Sequence, residues 1–402
     1  MSVPKLRFKE FDGDWDFRKI GDISDSIVPG RNKPKLFDGD IPWVTTPDIK
    51  DKIYVSDTQS NYYISEVEAK NVGSKIVPTN SVIMSCVGDL GLFAINTKPI
   101  VINQQLHAFL LDNSKYSSVF VLNALSKNQN FIEKVATKTA LPYLNKDNCN
   151  SIPLFLCSFE EQTEIASFLS AVDEKISQMT QKHELLSQYK QGMMQKLFSQ
   201  QIRFKADDGS KFKEWEEIFL SDVAKRVTRK NKEDNQNALT ISAQMGLVNQ
   251  QDYFTKQIAS RDLSKYYLLY KGEFAYNKSY SAGYPMGAIK RLKLYEKGVV
   301  STLYICFSLN PEIDSDFFEH YVESGALVPE LEKIAQEGAR NHGLLNISLQ
   351  EFFEVTLSKP CLEEQTKIAN FLSAIDQKIE VVAKQIKQAK QWKKGLLQQM
   401  FV

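Results

Sequence analysis

No two cysteines of this 402-residue chain are close enough to make a CxxC pair. Cys86, Cys149, Cys157, Cys306 and Cys361 are scattered, and so are His107, His183, His320 and His342. Zinc needs clustered thiolate and imidazole ligands, so no metal site is expected, and the thiols read as free in a reducing compartment. No apolar run approaches the ~18 residues that cross a bilayer. The opening MSVPKLRFKEFDGDW lacks the apolar core of a secretory signal. A cytoplasmic protein without membrane contact is expected. An excess of one charge is missing too: 50 Lys and Arg face 49 Asp and Glu, a net charge of +1. Bulk charge therefore does not announce a nucleic-acid binder, although a neutral total is compatible with local basic patches.

The signatures of catalysis are equally absent. There is no GxxxxGK[ST] loop and no GxGxxG turn for nucleotide phosphates. No GxSxG elbow occurs, and no Asn/Asp-Pro-Pro-aromatic tetrapeptide of the amino-methyltransferase kind; NPEI at Asn310 is the nearest. Pro47-Asp48 followed by Glu68-Ala69-Lys70 imitates the loose PD…ExK pattern of metal-dependent nucleases. The second half of the chain has no counterpart, and so sparse a pattern arises readily by chance.

What the chain does have is a phrase written twice. EEQTEIASFLSAVDEKI begins at Glu160, and EEQTKIANFLSAIDQKI begins 203 residues later at Glu363. Gly192 and Gly395, Gln195 and Gln398, and Phe198 and Phe401 keep the same offset. LRFKEFDGDW from Leu6 finds an echo in IRFKADDGSKFKEW from Ile202. A period near 200 means a duplicated domain pair rather than a solenoid.

Between Glu160 and Phe198 there is no proline and one late glycine, so the phrase predicts a long helix. Its apolar residues step by threes and fours through Ile165, Leu169, Val172, Ile176, Met179, Leu186, Met193 and Leu197. The second copy reads Ile368, Leu372, Ile375, Ile379, Val382, Ile386, Leu396 and Met400. That 3.5-residue period is a coiled-coil seam. Ser158 and the acidic pair Glu160–Glu161 suit a helix start. Each rod would be about 58 Å long. Two matching seams on one chain are expected to cover each other, antiparallel. His183 and Lys190 fall on the first seam, where they set register or reach outward rather than bind a ligand.

Four segments follow: a variable domain at 1–158, a helix at 159–200, a second variable domain at 201–360 and a second helix at 361–402. DIPWVTTPDI, NSVIMSCVG and QQLHAFLLD have counterparts in ALTISAQMGLV, GEFAYNKSY and STLYICFSL. These short runs, rich in β-branched and aromatic residues and punctuated by Gly and Asn, read as strands. Helical stretches precede each rod. The expected fold is α+β (mixed α/β): two similar globular domains separated by two long antiparallel coiled-coil helices, with internal pseudo-two-fold symmetry. Basic clusters recur soon after the echoing RFK…W openings, as PGRNKPK and as KRVTRKNK; KRLK and GARNHG come later in the second domain.

This layout, two variable domains each followed by a near-identical helix opening on EEQT, resembles the specificity subunit of type I restriction–modification systems. The resemblance spans the whole chain and includes GDLGLFAINTKPIVINQQL, from Gly88 to Leu106. It implies that each variable domain reads one half of a bipartite, asymmetric DNA site, and that the helices set the unread gap. The chain itself would be non-catalytic. Two modification subunits would bring S-adenosylmethionine and methylate adenine N6; two restriction subunits would use ATP and Mg2+.

Phosphates are met by Lys and Arg, base edges by Asn, Gln and Arg. On residue type, the candidates in the first domain are Arg31, Lys33, Lys35, Thr45, Asn103, Gln104, Gln105 and Lys146. In the second they are Arg229, Lys230, Lys232, Asn277, Lys278, Tyr280, Arg340 and Asn341. Two other functions stay open: a protein–protein scaffold whose rods pair between chains, and a stand-alone nuclease using Asp48, Glu68 and Lys70.

Overall fold

The structure is a computed structural model describing residues 3–29, 32–242, 244–253, 262–281, 283–335 and 345–402. Arg31, Arg340 and Asn341 lie outside the described residues. There are two compact units, Met1–Thr180 with Lys384–Val402, and Gln181–Ala383. The long helices run Phe159–Phe198 and Leu362–Met400, and each gives one half to each unit. The units therefore cut across the four segments drawn from the sequence. Among the described residues no helix is long and apolar enough to cross a membrane.

In the first unit a five-stranded sheet runs in the order Ser24–Ile27, Leu106–Leu111, Val82–Ser85, Phe93–Asn96 and Tyr54–Val55. Its central strand is buried throughout. Val82 and Met84 face a core shared with the helix Ser118–Ser126 and the long helices, while Ile83 faces a second core with Ile27, Val44 and Ile102. Both faces are covered, which is why Val82-Ile83-Met84 reads as a continuous apolar run rather than an alternation. The second unit repeats the plan with Ala224–Arg226, Ile305–Leu309, Phe274–Asn277 and Ala288–Arg291. There Phe274 and Tyr276 enter one core and Ala275 the other. The hairpin between its last two strands closes on Gly287, at φ +74°, where a Cβ would stand 2.2 Å from the Asn277 carbonyl oxygen. Only glycine tolerates that approach.

Within the first unit, Ile165, Leu169 and Val172 share a core with Leu396, Met400 and Phe401 from the end of the second helix. Within the second, Ile368, Leu372 and Ile375 share one with Met194 and Leu197 from the end of the first. In each unit the start of one helix thus lies against the end of the other, an antiparallel pairing inside one chain. Of the remaining seam residues, Val382 is buried, and Ile176, Met179, Leu186, Met193, Ile379 and Ile386 are half-buried. Lys190 pairs with Asp376 at 2.6 Å in the second unit, and Lys393 with Asp173 at 2.6 Å in the first. Each of these four residues has its 203-residue counterpart in the other pair. The lysines on the seam are ion-pair partners, not snorkelling side chains, and burial still raises the Asp173 carboxyl above its usual range despite Lys393.

The repeated phrase also ties globular part to helix. Ser158 Oγ accepts from Glu161 N (3.3 Å) at the helix start. Glu161, 1% exposed, takes two hydrogen bonds of 2.7 Å from the Arg7 guanidinium. Gln162 accepts from Ser117 N and donates to Cys157 O. In the second unit Glu364 accepts from Arg203 and from Trp215 Nε1. Gln365 accepts from Asp314 N and donates to Pro360 O. Arg7 and Arg203 are the arginines of the two RFK echoes. The phrase is kept because its polar residues hold the domain's first segment and the helix's first turn together.

Candidate nucleic-acid interface

In the first unit the strand Ile41–Val44 runs parallel to Val101–Ile102, with Trp43 opposite Val101 and Val44 opposite Ile102. The residues that follow, Thr45 and Asn103, therefore emerge side by side. Asn103 N donates to Val44 O (2.9 Å), and Leu106 N closes a turn onto Asn103 O (3.1 Å). Gln104 and Gln105 are exposed on that turn, and Thr45 is half-buried as the cap of a short helix. Four of the sequence candidates are thus brought together: Thr45, Asn103, Gln104 and Gln105. Asn103, 8% exposed, shapes the turn more than it faces solvent.

The second unit repeats the register. Val299 bridges Ala238 in parallel, and Tyr304 N closes the turn onto Ser301 O at 3.1 Å. By that register Thr240 corresponds to Thr45 and Leu303 to Gln105. Leu303 is 67% exposed. Residue type pointed away from it, and only the strand register identifies it.

An exposed lysine lies over an aromatic ring in each unit. Lys33 Nζ lies 5.7 Å from the centroid of Trp43, on the strand paired with Val101. Lys230 Nζ lies 4.3 Å from that of Tyr267, which pairs with Val300. The ring faces steer both ammonium groups, and Lys230 Nζ also donates to Lys265 O (2.9 Å); neither contact neutralises the charge. Lys35 is exposed, with its backbone N–H held by Glu68 (2.6 Å). Lys146, in a short helix, and Lys232 are exposed as well.

Other candidates are committed elsewhere. Arg229 stacks on Tyr270 at 4.0 Å and makes a two-pronged bond to Glu273, so its charge is already matched. Lys278 Nζ donates to Ile347 O (3.1 Å), and Asn277 Oδ1 accepts from Ser279 N (3.1 Å). Tyr280, 64% exposed, stays open to a partner. In KRLK, Lys290 pairs with Glu323, Arg291 with Asp316, and Lys293 with Glu319. These acids lie on the helix Ser315–Glu323, remote in sequence from the bases.

The nuclease-like pattern is structural. Asp48 is fully buried and accepts from Thr45 N, Thr45 Oγ1 and Gln59 N. Glu68, 6% exposed, accepts from Lys35 N and Leu36 N. Both carboxylates hold backbone in place.

Two histidines carry a pH signature. Burial lowers His107 to about 4, helped by Lys146, and its Nε2 lies 3.2 Å from Ser26 Oγ. Burial likewise lowers His320 to about 4, with Lys190 and Lys293 adding to the effect against Asp376 and Asp316. Unfolded, each titrates near 6.5. Their contribution to stability is therefore present above pH 6.5 and lost as the pH falls towards 4, by up to about 3 kcal/mol each. Urea midpoints of His107→Gln and His320→Gln should fall less between pH 7.5 and 5 than the wild type's.

The family described as the type I restriction modification DNA specificity domain matches the chain twice, over residues 12–188 and 212–391. The specificity subunit of the type I restriction enzyme MjaIX of Methanocaldococcus jannaschii is 24% identical over 191 residues, 45% of this chain and 44% of that protein. The corresponding MjaVIII subunit is 24% identical over 233 residues, 54% of this chain and 52% of that protein. The chain thus spans about half the length of the curated relatives it matches. The crystal structure of the type I S subunit from M. genitalium superposes with a TM-score of 0.59, covering 100% of this chain and 99% of that one. Sequence identity there is 16%, so the likeness is one of fold.

Proposed function

Because the chain belongs to the type I restriction–modification DNA-specificity family, we propose that each unit reads one half of a bipartite DNA site. The long helices set the gap between halves and offer docking surfaces to partners. The observation that carries this is the duplicated turn: one strand register, twice in one chain, presenting different side chains each time. A reader of two unlike half-sites needs a constant frame and variable contacts. The chain works as a recognition subunit without chemistry of its own. Two adenine-N6 methyltransferase subunits bring S-adenosylmethionine, and two restriction subunits bring ATP and Mg2+.

Lys33 and Lys230 act on phosphates, which position a protein without specifying sequence. Affinity for the target duplex should therefore fall steeply with salt. Lys33→Ala and Lys230→Ala should each flatten the log–log slope by about 0.9 and leave base preference unchanged. Titration of the full chain with its methyltransferase partners against duplex at several salt concentrations checks this. A salt-insensitive complex, or one indifferent to DNA sequence, would sink the reading.

A further inference from the structure

The turn at Asn103–Gln105 fixes not only where Gln105 sits but which of its atoms faces outward. Asn103 Oδ1 accepts from Gln105 N (3.1 Å), so the Asn103 amide is oriented with Nδ2 as the free donor. That Nδ2 lies 3.3 Å from the Gln105 side-chain oxygen, which also accepts from Thr46 Oγ1 at 3.2 Å. Both acceptor positions of Oε1 are filled. Nε2 has no hydrogen-bond partner among the described residues, and Gln105 is exposed. The side chain is therefore held as a pure donor. A free glutamine pairs with adenine through one acceptor and one donor together, and this one cannot.

The same turn in the second unit is built differently. Ser301 Oγ accepts from Leu303 N (3.3 Å), as Asn103 Oδ1 does from Gln105 N. It projects a bare isobutyl group with no polar function. A single exposed leucine needs no explanation in itself, but this one occupies the position that holds an oriented donor in the other unit.

We propose, on the reading of the two units as DNA readers, that this turn is a base-reading element in each half. Gln105 donates to the adjacent N7 and O6 acceptors of a guanine in the first half-site, and Leu303 packs on the C5-methyl of a thymine in the second. Gln105 and Leu303 are specificity-determining residues; Asn103, Thr46 and Ser301 are positioning residues.

The test is genome-wide adenine-methylation mapping in cells that express the methyltransferase subunits with the full-length wild type, Gln105→Leu or Leu303→Gln. It is paired with binding of the purified complexes to duplexes changed one base pair at a time. Gln105→Leu should change or relax one G·C position of the first half and leave the second half as it was. Leu303→Gln should do the converse at one A·T position. The single-base discrimination lost should be about fivefold or more at that position. Thr46→Val frees one acceptor position on the Gln105 oxygen and should raise tolerance of adenine at the same base pair. A motif and discrimination profile unchanged in both variants overturn the proposal, as does a uniform loss of affinity for every duplex. A wild type that marks no two-part motif would instead overturn the assignment of the units as readers. That failure is distinct and visible without any variant.

Discussion

Replacing Glu364 with alanine should destabilise the second unit by about 3 kcal/mol, the low end of the range for breaking a buried, hydrogen-bonded ion pair from one side, because Arg203 keeps Glu214 as a partner. Its carboxylate is fully buried and accepts from Arg203 Nε at 3.1 Å and Arg203 Nη2 at 3.0 Å. Trp215 Nε1 donates to it as well, at 3.1 Å. Removal leaves the 19%-exposed guanidinium with only the exposed Glu214 carboxylate (3.0 Å) and the carbonyls of Phe212 and Lys213, and takes away the indole N–H's acceptor. Glu161→Ala in the first unit removes the equivalent pair with Arg7, yet the buried Trp15 Nε1 already has no partner among the described residues. Its cost should be smaller by about 1 kcal/mol, the worth of one hydrogen bond. Replacing Arg203 and Glu364 together with methionine should cost less than Glu364→Ala alone, because no charge is left buried. Denaturant unfolding of the three variants measures all of this. A Glu364→Ala protein within 1 kcal/mol of wild type would show that the repeated phrase is not a structural clamp.

That clamp was only half legible in the sequence. The helices were plain because their 3.5-residue period and lack of proline are local signals, and Arg7 and Arg203 stood out in the RFK echoes. Their partners did not, since a salt bridge across 154 residues leaves no local trace. The same limit shaped the interface. The stretch VINQQL, from Val101 to Leu106, marks Asn103, Gln104 and Gln105 by residue type, and strand pairing brings Thr45 beside them. Leu303, the register counterpart of Gln105, gives no polar signal in the sequence, so only strand pairing shows the correspondence. The basic runs misled in the opposite direction: KRLK has no acid within it, yet Asp316, Glu319 and Glu323 meet it from a helix some 25 residues on. Charge balance is decided in space, and a linear window sees one side of it.

A fragment ending near Gln200 should self-associate and recognise an inverted repeat of the first half-site. Truncation strips Leu396, Met400 and Phe401 from Ile165, Leu169 and Val172, and leaves Asp173 without Lys393. It also removes the Phe401 ring that lies 6.2 Å from Trp15 and 5.1 Å from Phe120. A second copy of the fragment carries the replacements at matching places. Its Met193, Leu197 and Phe198 are the counterparts of the lost residues, and in the second unit they already pack with the counterparts of Ile165, Leu169 and Val172. Its Lys190, which binds Asp376 in the intact chain, is the counterpart of Lys393. Covering each apolar side chain is worth about 1.5–3 kcal/mol. With two identical seams formed at once, association in the micromolar range or tighter is expected after the entropic cost of pairing. Sedimentation of the fragment should show a dimer, weakened by Asp173→Lys and recovered when Lys190→Asp is added. A fragment that stays monomeric at high concentration, or one whose charge-swapped form is no better than Asp173→Lys alone, would mean that the two seams are not interchangeable.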